Sequence, residues 1–371
     1  MRRPVAGLVF AVVLCSAGLS GAQEQADCRW ATDPAATRNA ILSGVTAVDP
    51  TTVWAVGSRY GSDDWGRTLV RRWDGTSWQT YPSPTVEEQT NHLNDVAVEP
   101  DGAAWAVGDR SRRTMKTIVQ RYDGTRWRMQ RSLNPSETLN SLEAVDVTPT
   151  GSVYAVGSRW NDNRRYRTMI QHFDGADWRM VRVGRPGLLY DVDVVGDGDV
   201  WAVGVKTEHR AAGAYAVHFD GETWTEVAAP DVGGGFSILR GVSAAAPDDV
   251  WAVGAYHENS EPQPLILHFD GTSWSVAQLP GLDSDVEIFD VSALDAATAV
   301  AVGQQHSYDF GEDSRVVLEW DGSAWTRAVQ DDDRVSNWLH AVDLAPDGQA
   351  WAVGYHSTHP LTSYVEHRTC G

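Results

Sequence analysis

Along this chain, short runs of Val, Ile, Leu, Ala and aromatic residues alternate with polar clusters rich in Gly, Asp and Pro. The runs are apolar on both faces, which predicts strands covered by a neighbour on each side rather than half-exposed ones. Residues 93–131 show the pattern clearly. A strand is predicted over 93–98, a turn at Pro100-Asp101-Gly102, strands over 104–108 and 117–122, a turn at Asp123-Gly124, and a strand over 127–131. Glycine after aspartate takes a positive φ at little cost, as a tight hairpin requires. The Asp-Gly pair recurs at 74–75, 174–175, 220–221, 270–271 and 321–322.

The four-strand unit repeats. Its marker is Trp54-Ala55-Val56-Gly57, followed by Trp73-Asp74-Gly75 and Trp78; the first element returns at Trp105, Trp201, Trp251 and Trp351, and Tyr154 and Val300 take the Trp place in two further copies. The marker glycines 57, 108, 157, 204, 254, 303 and 354 lie 51, 49, 47, 50, 49 and 51 residues apart. A strand-rich repeat of that period predicts an all-β fold, a seven-bladed β-propeller with four antiparallel strands in each blade. Because the repeat fills almost the whole chain, one domain is expected over 23–371. The last copy stops after its third strand, without a Trp-bearing fourth. Trp30 aligns with Trp78, Trp127, Trp178, Trp224, Trp274 and Trp325, so an N-terminal strand beginning at Cys28 is expected to complete the last blade and close the ring. That register sets Cys28 beside Cys370 and predicts a disulfide in an oxidising compartment.

Composition then narrows the setting. Arg2 and Arg3, an apolar run over 5–14 and the small residues Ser20-Gly21-Ala22 form a secretory signal over 1–22, so the mature chain is expected to be secreted. Cys15 lacks the small residue that precedes a lipoprotein cysteine, and no later segment is long and apolar enough for a transmembrane anchor. Removing residues 1–22 takes away two Arg and no acid, moving the formal charge from −20 to −22 and arguing against a nucleic-acid partner. A monomer is the expected state.

The Trp-Ala-Val-Gly and Trp-Asp-Gly-x-x-Trp repeats, covering residues 28–370, resemble those of exported bacterial β-propellers. The Asp-Gly-x-x-Trp hairpin is also similar to the Asp-box of sialidase-type propellers. Two residues before the Asp, where that box has Ser or Thr, this chain has Arg72, Arg121, His172, His218, His268 and Glu319, which tells against sialidase activity. The resemblance implies that the loops joining the second to the third strand, and each blade to the next, share one face, the top, and that ligands bind there.

Of the 17 Trp, the repeat accounts for all but Trp65, Trp160 and Trp338, which fall in predicted top-face loops and suggest a contact surface. His172, His218, His268 and His367 share one repeat position with Arg72, Arg121 and Glu319 and read as scaffold. The remaining His92, His209, His257, His306, His340, His356 and His359 lie in or beside top loops, and His257, His306 and His356 follow the marker Gly by two or three residues. Convergent histidines would suit proton transfer or a divalent metal. In four successive blades the residue two past that Gly is basic: Arg59, Arg110, Arg159 and Lys206, an arc suited to an anionic ligand unless nearby acids such as Asp63 and Asp109 neutralise it. At the top of the innermost strand the blades place Ser43, Asn94, Glu143, Tyr190, Arg240, Phe289 and His340, no two alike. A multivalent lectin would repeat its binding residues; this ring predicts one asymmetric site.

No nucleophile elbow, P-loop, dinucleotide fingerprint or zinc-protease helix is present, and no cofactor is implied. The expected function is therefore a secreted recognition propeller binding one small-molecule, glycan or protein ligand through Trp65, Trp160, Trp338, Tyr190, Arg240 and the basic arc. The alternative is a lyase or hydrolase for an anionic substrate, with His306, His340 or His356 as acid or base, and a metal compatible with it.

Overall fold

The Asp-Gly turns fold as their chemistry requires. Gly75, Gly124, Gly175, Gly221, Gly271 and Gly322 sit at φ between 84° and 90°. In the first, Asp74 Oδ1 accepts the backbone N–H groups of Thr76 and Ser77 at 2.9 and 2.8 Å, and the other five aspartates make the same pair of bonds. The computed structural model describes residues 28–370 except 34, 35, 64, 162, 164, 185, 208–211, 259, 260, 280, 281, 283, 284, 307–312, 329–335, 358 and 359; the expected signal segment, His209 and His359 lie outside the described residues.

The strands form seven four-stranded antiparallel sheets, a seven-bladed β-propeller, with no helix among the described residues. In six of the blades the strands, here A to D, pair in chain order, and the A strands of successive blades touch in a closed ring. In the second blade they run Thr90–Val98, Ala104–Ser111, Met115–Tyr122 and Trp127–Met129, so A to C extend further toward the top than the apolar runs alone predict. Cys28–Thr32 is strand D of the last blade, paired with Thr362–Cys370 with Cys28 opposite Cys370, and the two cysteines are bonded. The bond closes a loop of 342 residues, for which the chain-entropy estimate is about 6 kcal/mol as an upper bound.

Tryptophan ties blade to blade. Four of the five strand B Trp meet the strand D Trp of the following blade edge to face: Trp54 on Trp127, Trp105 on Trp178, Trp201 on Trp274 and Trp251 on Trp325, with centroids 5.1 to 5.6 Å apart. The opposite face of each strand B ring is covered by its cross-strand partner on strand C. His218, His268 and His367 stack on Trp201, Trp251 and Trp351 at 4.3 Å, His172 on Tyr154 at 4.4 Å, and Arg72 and Arg121 lie over Trp54 and Trp105. The sixth blade is informative. Where Val300 replaces the aromatic, its partner is Glu319, which accepts from Trp30 Nε1 and Arg368 Nε instead. The scaffold reading of this position therefore rests on a ring-covering contact.

The marker glycines have a second cause. In all seven blades strand A carries a β-bulge, at Ser43, Asn94, Glu143, Tyr190, Arg240, Phe289 and His340. The bulge drives the strand A backbone against strand B, so that a Cβ on Gly57 would lie 2.1 Å from the Ile41 carbonyl oxygen, and one on Gly354 1.7 Å from that of Trp338. Only glycine fits there.

Below the bulges, carboxylates staple the A strands together. Asp95 accepts from Val96 N and, in the next blade, Val145 N; Asp146, Asp191, Asp290 and Asp343 repeat the pattern on Val194, Val242, Val342 and Ala47, all at 2.7 to 3.0 Å. Asp193 bonds Ala244 N at 3.1 Å, and Ser243 joins the fifth blade to the sixth through Ala293 N at 3.0 Å. Burial, and the charge of facing aspartates, raise the pKa of these carboxyls, Asp146 to about 7 and Asp290 to about 8.

Candidate functional site

A bulge leaves one residue out of the ladder and re-aims its side chain. All seven residues that the sequence placed at the top of strand A are these bulge residues, half-buried around the mouth of the central channel. Immediately above them lies a tier of cross-strand pairs that also differs from blade to blade: Ile41 with Ser58, His92 with Asp109, Ser141 with Ser158, Leu188 with Val205, Ile238 with Ala255, Glu287 with Gln304, and Trp338 with Tyr355. The mouth is thereby divided into sectors.

The sector from the first to the third blade is polar. His92 bonds Ser43 Oγ through Nε2 and Ser58 Oγ through Nδ1, each at 3.0 Å. Ser141 Oγ donates to Glu143 Oε1 at 2.6 Å and stands 3.4 Å from Asp109 Oδ2, while Asn94 Nδ2 donates to the Leu142 carbonyl at 2.7 Å. Burial raises both carboxyls, and Glu143 adds its charge to the effect on Asp109, which reaches about 6. The fourth and fifth blades give an apolar sector in which Val205, Ile238 and Ala255 pack with Leu188 and Tyr190. The last two give an aromatic one: His340 stacks on Phe289 at 5.6 Å and lies 5.5 Å from Tyr355, which stacks on Trp338 at 5.5 Å.

Arg240 sits where the sectors meet. Its guanidinium lies over the Tyr190 ring at 4.9 Å. It has no ion-pair partner among the described residues, although it is near enough to Glu143 and His340 to shift both. Arg240 Nε, His340 Nε2 and Trp338 Nε1 are all buried without a hydrogen-bond partner. Burial, reinforced for His92 by His340 and for His340 by Arg240, pushes both imidazoles down to about 4, so both are neutral at pH 7.

Of the remaining candidates, Trp338 belongs to the mouth's aromatic sector. Trp160 and Trp338 lie at strand ends, in Val153–Trp160 and Asn337–Leu344, because those strands run past the apolar runs; Trp65 alone occupies a loop. None of the three is fully exposed. Trp160 meets Tyr166 edge to face at 6.0 Å. His257, His306 and His356 do not converge: His257 contacts Phe236, His306 is held by Gln304 and Asp313, and His356 bonds Asn337 and contacts Tyr364. Among the described residues no group of three His, Cys, Asp or Glu is placed to hold a metal. Lys206 is neutralised by Glu226 at 2.6 Å and leaves the basic arc, whereas Arg59, Arg110 and Arg159 have no carboxylate partner among the described residues. Asp109 and Ser141 were not legible as site residues; their only sequence signal is that they differ from their counterparts in other blades.

No protein-family model and no curated protein sequence matches the chain. Solved structures do, at low identity. YCF48 bound to D1 peptide aligns over 91% of this chain and 94% of its own with 14% identity and a TM-score of 0.57. YjhT aligns over 80% and 99% with 11% identity and a TM-score of 0.52. The GH74 xyloglucanase from Xanthomonas campestris aligns over 91% of this chain and 55% of its own, with 15% identity and a TM-score of 0.55. At these identities the likeness shows the propeller fold.

Proposed function

We propose that this chain is a secreted recognition propeller that binds one ligand at the top mouth of its channel. A single observation carries the reading: on seven blades whose frame repeats, the bulge residue and the pair above it repeat nowhere, and they assemble one polar, one apolar and one aromatic sector around Arg240. A surface of that kind suits a ligand with an apolar body and an acceptor group for the unpartnered Arg240 Nε and His340 Nε2. That one of the solved propellers of this shape is described as bound to a peptide favours a peptide segment as the first class to test.

The test is stoichiometry. Mature protein is screened on peptide and glycan arrays, and the best hit is titrated calorimetrically. One site per chain is expected; several equivalent sites would place recognition on the repeated frame and end this reading. Catalysis through His306, His340 and His356 is less well supported, because the three share no partner: His306 is held by Gln304 and Asp313, and His356 by Asn337. The groups there with shifted proton affinity suited to acid or base work are Asp109 and Glu143, brought together by Ser141.

A further inference from the structure

One strand outward from the mouth, the hairpins joining strands B and C of the first three blades set a cation directly opposite a cation: Arg59 opposite Arg67, Arg110 opposite Lys116, and Arg159 opposite Arg167. Like charges facing across a ladder are destabilising, and this chain accepts the arrangement three times running despite a formal charge of −20. Only one of the six cations has a carboxylate partner among the described residues, Arg67 with Asp63 at 2.6 Å. Lys116 donates to the carbonyls of Ser136 and Glu137, Arg110 to Gln89 Oε1, and Arg167 to the Tyr166 carbonyl. Arg159 Nε is buried without a hydrogen-bond partner.

Two clefts adjoin the second and third of these pairs, through Arg110 and through Arg159 with Arg167. One, of about 360 Å³, is lined by Gln89, Arg110, Arg112, Arg113 and Thr114. The other, of about 540 Å³, carries Arg159, Arg167 and Arg182 together with the apolar Met180, Val181 and Val183. Arg112 is held by Glu88 at 3.1 Å, while Arg113 and Arg182 have no carboxylate partner among the described residues.

We propose that the two clefts form one track for an acidic glycan, a chain carrying a carboxylate or sulfate on successive sugars. A planar guanidinium matches such an oxyanion in bidentate fashion, and an oxyanion lying between two opposed cations turns their repulsion into attraction. The first cleft has no apolar lining residue, so it lacks the pocket in which a peptide's anchoring side chain would be buried. Its charged and hydrogen-bonding groups suit sugar hydroxyls and carboxylates, and the apolar residues of the second cleft offer a surface to a sugar ring. The track shares no residue with the mouth, and either assignment can fail without the other.

The experiment titrates the mature protein with an oligogalacturonate, a heparin-derived oligosaccharide, poly-glutamate and inorganic sulfate, at low and at higher ionic strength. An acidic oligosaccharide is expected to bind with a salt-dependent affinity that grows with chain length. The double variant Arg159→Ala/Arg167→Ala is expected to weaken it by a factor on the order of 10 to 100, one tenfold step for each charge-assisted pair removed. Its melting temperature should be unchanged or raised, since a like-charge pair is gone, and Arg126→Ala, on an exposed hairpin tip, should bind as the parent does. Undiminished binding by the double variant overturns the proposal. So does tighter binding of poly-glutamate than of either glycan, which would make this a peptide surface, and so does an affinity for the oligosaccharides no greater than that for sulfate.

Discussion

One residue, Ala341, separates His340 from Val342, and across that step the wall of the channel changes character. Below it, Asp290 reaches from one blade to the Val342 N–H of the next, and five other aspartates make a cross-blade bond of this kind. Above it, Arg240 and His340 each keep a buried nitrogen with no partner. The lower groups hold backbone, and backbone is the same in every blade, so they can recur. The upper groups stand on bulges outside the ladder, where no neighbouring backbone dictates what they must be. A propeller can therefore vary its mouth without loosening its ring, and the following substitutions separate the two regions.

The frame should give the largest effect on stability. Trp201 is wholly buried and packs on Trp274, Phe269 and His218, so Trp201→Ala should cost about 3 to 5 kcal/mol through the cavity it leaves. Urea unfolding measures the loss, and titration of the fraction still folded should return the parent affinity at the mouth. Weakened binding with unchanged stability would invert the assignment of frame and site.

Protons offer a second separation, because the channel aspartates and the mouth histidines respond to pH with opposite sign. The channel carboxyls have raised pKa values, so the folded chain keeps protons that the unfolded chain has lost. The stability this brings is complete at acid pH and disappears as pH rises through about 7 for Asp146 and about 8 for Asp290. His92 and His340 are depressed to about 4 from an ordinary 6.5, so they withdraw stability as pH falls through that window. Above pH 6.5 the histidines are silent. Stability should therefore fall by on the order of 2 kcal/mol as pH rises from about 6.5 to 8.5, an amount tempered by water in the channel. Asp290→Asn should flatten this limb, lowering stability by about 1 to 3 kcal/mol near pH 6.5 and by less at pH 8.5, because an amide has one acceptor for the two N–H groups of Val291 and Val342 but does not ionise. Thermal melts across pH decide it, and a parent stability that rises above pH 6.5 would show that the carboxyls are not held as described.

Much of the fold was legible because its signals are local or periodic. The marker glycines gave the blade count, Asp-Gly gave the hairpins, and the displaced Trp30 gave the closure and the bond between Cys28 and Cys370. The bulge ring was legible as a set of unlike residues at one register, though not as bulges. The aspartate staples were missed because Asp95 or Asp191 in strand A reads as an ordinary interruption of an apolar run; its partner is a backbone N–H some 50 residues away in the next blade. Lys206 was placed in the basic arc because Glu226, which neutralises it, lies on another strand at a distance that no spacing rule announces.

The smallest expected effect on stability, and the most telling for function, belongs to the mouth. Arg240→Ala removes a guanidinium whose contacts are the face of Tyr190 and the charge of Glu143, neither of them a bond that holds backbone. His340→Ala removes a ring stacked on Phe289. Each should change stability by less than about 1 kcal/mol, since no backbone group loses a partner. If these side chains present donors to a ligand, either change should weaken binding tenfold or more, the loss expected when a buried acceptor on the ligand goes unpaired. Because His340 is already neutral at pH 7, its contribution should be flat from pH 6 to 8, and binding should weaken only as the ring gains a proton near pH 4 beside Arg240. A transition near 6.5 that is present in the parent and lost in His340→Ala would mean that the imidazole is solvated, and would move the ligand from the bulge ring to the outer loops; a transition near 6 that survives the substitution belongs to Asp109.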